Sequence, residues 1–111
     1  MSFIVGKTMY RGTTPSITFK INTDIDLSEL AVCYITLKSI EKDKAATFDL
    51  SDIIVDTELK TLTLALSQEE TLAFSKGVIY VQIRLRTNED LAYASQIKEI
   101  KMNDILMDGV I

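Results

Sequence analysis

The chain has 111 residues, 47% of them hydrophobic and 25% charged, and a net charge of −4. That is one domain, 1–111, with apolar material for its own core and too much of it for disorder. The acidic balance disfavours non-specific binding to nucleic acid or an acidic membrane. With no histidine, no tryptophan and one cysteine, a Ser-His-Asp triad and a cysteine–histidine zinc site are both excluded.

Residues 1–10 read as an apolar leader with a short edge strand around Phe3–Val5. Arg11-Gly12-Thr13-Thr14-Pro15 is a turn, since glycine tolerates positive φ and proline removes a donor. Ser16–Ile21 alternates with Ile17, Phe19 and Ile21 on one side, the period of a half-buried strand. Asn22–Glu29 is polar and predicts a loop. Ala31–Ser39 is a long strand with Cys33, Ile35 and Leu37 on one face, which makes the thiol a buried, inert one. A charged turn is expected over Glu41–Lys44. Short extended pieces follow at Thr47–Leu50 and Ile53–Val55, and after a turn over Thr57–Lys60, Leu62, Leu64 and Leu66 alternate within Thr61–Leu66.

Ser67-Gln68-Glu69-Glu70 is a capping box, in which Ser67 accepts from the amide of Glu70 and Glu70 reaches back to the amide of Ser67. It predicts a short helical turn near residues 67–74, ended by Lys76-Gly77. Val78–Thr87 carries the strongest alternation in the chain: Ile79, Val81, Ile83 and Leu85 against Tyr80, Gln82, Arg84 and Arg86. Asn88-Glu89-Asp90 turns it into Leu91–Gln96 as a hairpin. Ile97–Met102 is a last, less regular strand, and Asn103 or Asp104 is placed to cap a final turn. Several short strands separated by turns every 8–12 residues predict an all-β, Ig-like antiparallel β-sandwich of about seven strands, with a small barrel as the other architecture that fits.

Few residues suggest chemistry. Charge is uneven: three bases and no acid in residues 1–22, eleven acids against four bases in 23–75, and five of each in 76–111. Asp24 with Asp26, and Asp49 with Asp52 and Asp56, are hard oxygen ligands of the kind calcium takes, but their spacing fits no known loop and solvated turn residues are the plainer reading. No glycine-rich phosphate loop is present, because Gly6, Gly12, Gly77 and Gly109 stand far apart. Tyr80, Arg84 and Arg86 lie on the wet face of their strand, as a solvated surface, a protein contact or a base-stacking strip that the acidic charge disfavours. The tail Ile105-Leu106-Met107-Asp108-Gly109-Val110-Ile111 is unusually apolar, and either docks on the core or serves a neighbouring subunit. No stretch has the length of a membrane span, and the first residues lack a signal-peptide core.

Several segments together carry a resemblance: Tyr10-Arg11-Gly12-Thr13-Thr14-Pro15 with Ser16–Ile21, then Leu64-Ala65-Leu66-Ser67-Gln68-Glu69-Glu70-Thr71-Leu72-Ala73-Phe74. Val81-Gln82-Ile83-Arg84, Ala92-Tyr93-Ala94-Ser95 and Asp104-Ile105-Leu106-Met107-Asp108-Gly109-Val110-Ile111 complete the order. Over most of its length the chain resembles uncharacterised small proteins encoded in phages and prophages of Firmicutes. More loosely, its plan is similar to the N-terminal β-sandwich of phage upper baseplate proteins.

The resemblance implies a virion structural protein of tail, baseplate or connector, without catalytic, metal or cofactor-binding residues. Such a chain would be made in the bacterial cytoplasm and then enter the virion. Its partners would be itself, as a homo-oligomer, or other virion proteins, with no nucleic acid or membrane involved. Phe3, Ile4 and Val5 at an edge, Tyr80, Arg84 and Arg86 on a sheet face, and Val110 and Ile111 in the tail are the candidate subunit contacts. Two other readings are a small cytosolic adaptor that binds a host protein, and a tail carbohydrate-binding module using Tyr34, Tyr80 and Tyr93.

Overall fold

The computed structural model of the chain describes residues 1–111 apart from 7, 23 and 41–43. Ser2–Ile4 (β1) and Thr8–Tyr10 (β2) open it, followed by Ser16–Asn22 (β3), Leu30–Ser39 (β4), Ala45–Phe48 (β5) and Ile53–Asp56 (β6). Thr61–Ala65 (β7) leads into a helix, Gln68–Leu72 (α1), and then into Gly77–Thr87 (β8), Ala92–Ala94 (β9) and Lys98–Asn103 (β10). The expected charged turn lies, at 41–43, outside the described residues.

Two sheets form. One has the order β1-β3-β7-β6; the other runs β2-β10-β8-β4-β5, with β9 also paired to β8. The first strand of the chain is split between them: β1 pairs antiparallel with β3, and β2 pairs parallel with β10. An immunoglobulin-like sandwich has this connectivity, with its first, second, fifth and fourth strands in one sheet and its third, sixth and seventh in the other. The ten described strands exceed the expected seven because the first strand is split into β1 and β2 and because β5 and β9 add short strands beside β4 and β8.

Strict alternation builds the core. Ile17, Phe19 and Ile21 of β3, with Leu62 and Leu64 of β7, face Cys33, Ile35 and Leu37 of β4 and Ile79, Val81, Ile83 and Leu85 of β8. All are buried, and the sheets therefore meet through a continuous aliphatic layer. Phe3 also lies in this layer, fully buried, its ring 5.6 Å from that of Phe19 in an edge-on arrangement. Its assignment as a subunit contact is thus corrected: alternation in β1 turns Phe3 inward and Ile4 outward.

The polar segment before β4 is the expected loop, anchored by two apolar side chains. Ile25 and Leu27 are buried, and Asp26 caps a short 3-10 turn over Leu27–Glu29 by accepting from the amide of Ser28. The capping box of α1 forms with both of its bonds, Glu70 N–H to Ser67 Oγ at 3.1 Å and Ser67 N–H to Glu70 Oε1 at 2.8 Å. In the β8–β9 hairpin, Asp90 adopts φ 64 while Thr87 N–H donates to Leu91 O, so a left-handed residue closes the turn where glycine is the usual choice.

Between β9 and β10 the ladder along β8 is interrupted, and Ser95 fills the gap. Its hydroxyl accepts from Ile83 N–H at 2.9 Å and donates to Gln96 O at 2.8 Å. Ser95→Ala leaves the Ile83 amide buried without its acceptor. Urea unfolding of this variant should show a loss of about 1–3 kcal/mol with an unchanged slope.

Candidate functional site

Two surfaces stand out once the core is accounted for. The first is the outer face of the six-stranded sheet. In register, Val32 lies opposite Arg86, Tyr34 opposite Arg84, Thr36 opposite Gln82, and Lys38 opposite Tyr80. β9 and β10 widen these rows by placing Ala92 beside Arg86, Ala94 beside Arg84 and Glu99 beside Tyr80. Tyr80, Arg84 and Arg86 thus share one face, as alternation along β8 requires. A hollow of about 520 Å³ opens on it, with Ile40, Tyr80 and Ile97 in its wall beside Thr36, Lys38 and Gln82. A smaller one of about 180 Å³ lies between Tyr34 and the two arginines. Arg86 is paired with exposed Asp90 at 3.2 Å, a surface bond that contributes little to stability.

The second surface is the C-terminal tail, organised by Arg11. This guanidinium donates from Nε to Phe74 O at 2.8 Å and from Nη2 to Leu72 O at 3.2 Å, taking up carbonyls at the end of α1. Its Nη1 reaches Asp104 at 2.8 Å and Asp108 at 3.0 Å. Gly12 allows Ile105 to close over the turn, since a Cβ there would stand 2.9 Å from Ile105 Cδ1. Farther along, the Gln68 side-chain amide holds both backbone groups of Ile111, accepting its N–H at 2.9 Å and donating to its C=O at 3.2 Å.

Held this way, the tail displays Leu106, Met107, Val110 and Ile111, all exposed. Val110 and Ile111, the sequence candidates here, are exposed, while the backbone of Ile111 is held by Gln68 and the tail carboxylates by Arg11. Asp104 caps no helical turn. It accepts from the Ile105 amide and from Arg11 instead.

The Arg11 hydrogen bond, followed by that of the Ile105 amide, holds the Asp104 carboxyl below the ordinary carboxylate range. A depressed folded value stabilises above the unfolded carboxylate pKa, and that contribution is lost as pH falls through the depressed value. Protection of the tail amides, with the base-catalysed intrinsic exchange rate divided out, should therefore be constant from neutrality down to about pH 4 and fall below it, where unfolded aspartate begins to protonate.

The remaining candidates separate. Ile4 and Val5 stay at the rim of the four-stranded sheet, Ile4 exposed and Val5 half-buried. Lys98 Nζ sits 5.7 Å from the Phe3 ring centre, a cation over an aromatic face. Tyr34 and Tyr80 share the outer face but stand four residues apart in register, roughly 13 Å at strand spacing. Tyr93 lies opposite Leu85 and packs against the core, so the three tyrosines form no common platform. Asp26, Asp49 and Asp56 each accept from amides of their own turns. Burial pushes the Cys33 thiol up to about 11.

No protein-family model and no curated protein matches the chain. Among the described residues, no helix is long and apolar enough to cross a membrane.

Arg11 and Gln68 escaped the sequence reading. The signal present was a lone base in a glycine turn and two aspartates four apart in an apolar tail, residues more than ninety positions away from that base. Nothing local indicates that they meet.

Proposed function

We propose that this chain is a structural component of a phage or prophage virion, in tail, baseplate or connector, acting through protein–protein assembly. The observation that carries the reading is the Arg11 cluster. Three of the segments in which the family resemblance resides, Tyr10–Pro15, Leu64–Phe74 and Asp104–Ile111, meet there, and what they hold in place is a row of exposed apolar side chains. Ordering a tail whose apolar groups stay in water is unfavourable for a lone monomer, and favourable when a partner covers them. The aromatic and cationic outer face of the six-stranded sheet supports the same reading, because tyrosine and arginine are the residue types enriched where proteins bind one another. The separation of the tyrosines speaks against the glycan-binding alternative.

Deleting the coding sequence from the prophage that carries it tests the proposal. Induced cells should still lyse but release incomplete particles, and supplying the chain from a plasmid should restore them. Normal particle numbers from the deletion strain would overturn the reading, and a host protein co-purifying with the chain in equal amount would favour the adaptor.

A further inference from the structure

We propose that Asp108–Gly109 is a site of spontaneous covalent modification, where the backbone rearranges through a succinimide to isoaspartate, and that Arg11 restrains this rearrangement. The chain has nine aspartates, and only Asp108 is followed by glycine; the others precede leucine, isoleucine, threonine or lysine. That difference decides reactivity, because the attacking nucleophile is the amide nitrogen of the following residue. A side chain on that residue crowds the ring, a β-branched one most of all, and glycine has none.

Local structure supplies the access. Gly109 has φ 102, a conformation that residues with a side chain rarely adopt, and open space lies where a Cβ would stand. Asp108 and Gly109 are both exposed, so water reaches either carbonyl of the ring. In the closing step the Gly109 nitrogen bonds to Asp108 Cγ. One Cγ–O bond of the protonated carboxyl breaks, and its hydroxyl leaves with the amide proton as water. Hydrolysis at Cγ restores aspartate, and hydrolysis at the Asp108 main-chain carbonyl leaves the chain running through Cβ and Cγ.

Arg11 stands against this. Its Nη1 donates to Asp108 Oδ1 at 3.0 Å, and the guanidinium is itself fixed by Asp104 and by the carbonyls of Leu72 and Phe74. The side chain is therefore tethered as a carboxylate and withheld from the rotation that brings Cγ onto the Gly109 nitrogen. Ring closure has to wait for local opening of the tail. Asp104 is an internal comparison. It accepts from the same Nη1 at 2.8 Å, and its Oδ1 lies 2.9 Å from the Ile105 nitrogen, but a β-branched residue follows it.

Rearrangement undoes the hold on the tail. Isoaspartate adds one carbon to the backbone and shortens the arm of the carboxylate. Val110 and Ile111 then shift relative to Gln68, which pairs with both backbone groups of Ile111.

Incubating the purified full chain in heavy-oxygen water reads the reaction, because each opening of the ring leaves one heavy oxygen in the residue, whichever product forms. Mass spectrometry of the tryptic peptide that follows Lys101 locates the label and separates the isoaspartyl form. Folded wild type at neutral pH should take up label at Asp108 and none at Asp104. R11A should label Asp108 several-fold faster, and R11K should fall between. S95A loses stability with the Arg11 pair intact, so it should label at the wild-type rate. Unfolded in urea, all four chains should label alike and fastest. The isoaspartyl fraction of aged wild type should lose protection at the Ile111 amide.

Asp104 labelling as fast as Asp108, R11A labelling no faster than wild type, or S95A matching R11A would each overturn the inference. Should R11A not fold, R11K against S95A decides the same point.

Discussion

Phe19→Ala should lower the unfolding free energy by about 3–5 kcal/mol, the range for removing a buried aromatic ring from a core that cannot collapse around the gap. Phe19 is fully buried on β3, with Leu62 of β7 as its paired residue. It also loses the edge-on contact with Phe3, 5.6 Å between ring centres, which is the contact that seats β1. Domains of this size are stable by only about 5–15 kcal/mol, so much of the total would go. Urea unfolding monitored by circular dichroism gives the value, and Phe19→Leu should return more than half of it. A loss under 1 kcal/mol would mean that the two sheets do not pack as described.

Arg11→Ala should have the second-largest effect, about 2–3 kcal/mol. Hydrogen bonds to charged groups contribute about 1.5–3 kcal/mol each when shielded, and less where solvent competes. The arginine side chain is 15% exposed, while Asp104 and Asp108 are 46% and 71% exposed. Most of the loss should therefore come from the bonds to Phe74 O and Leu72 O. Arg11→Lys should recover only part, because an ammonium is a single point and cannot span two carbonyls and two carboxylates as the planar fork does. Adding Asp104→Asn to Arg11→Ala should change little, since the partner is already gone; a double-mutant cycle in urea measures this coupling. Faster exchange at the amides of 105–111 would locate the effect in the tail.

The fold was largely legible because it follows from alternation. Ile79 through Leu85 and Cys33 through Leu37 specify which face is buried, and Ser67 with Glu70 specifies where a helix begins. Pairing was not legible, because periodicity is the same whichever neighbour a strand takes. β2 was missed since three residues are too few to show a period, and its partner β10 lies more than ninety residues away. Phe3 was misjudged because a terminal apolar run can be core or contact with the same composition. The assembly surfaces were half legible: Tyr80, Arg84 and Arg86 follow from the strand pattern, whereas the Arg11 clamp depends on contacts between remote segments.

Quantitative mass spectrometry of density-purified particles, from the strain that carries the gene, tests the central claim most directly. The virion reading predicts the chain in every preparation at a fixed number of copies relative to the other particle proteins. Its absence from particles, together with abundance in the cleared lysate, would contradict that reading.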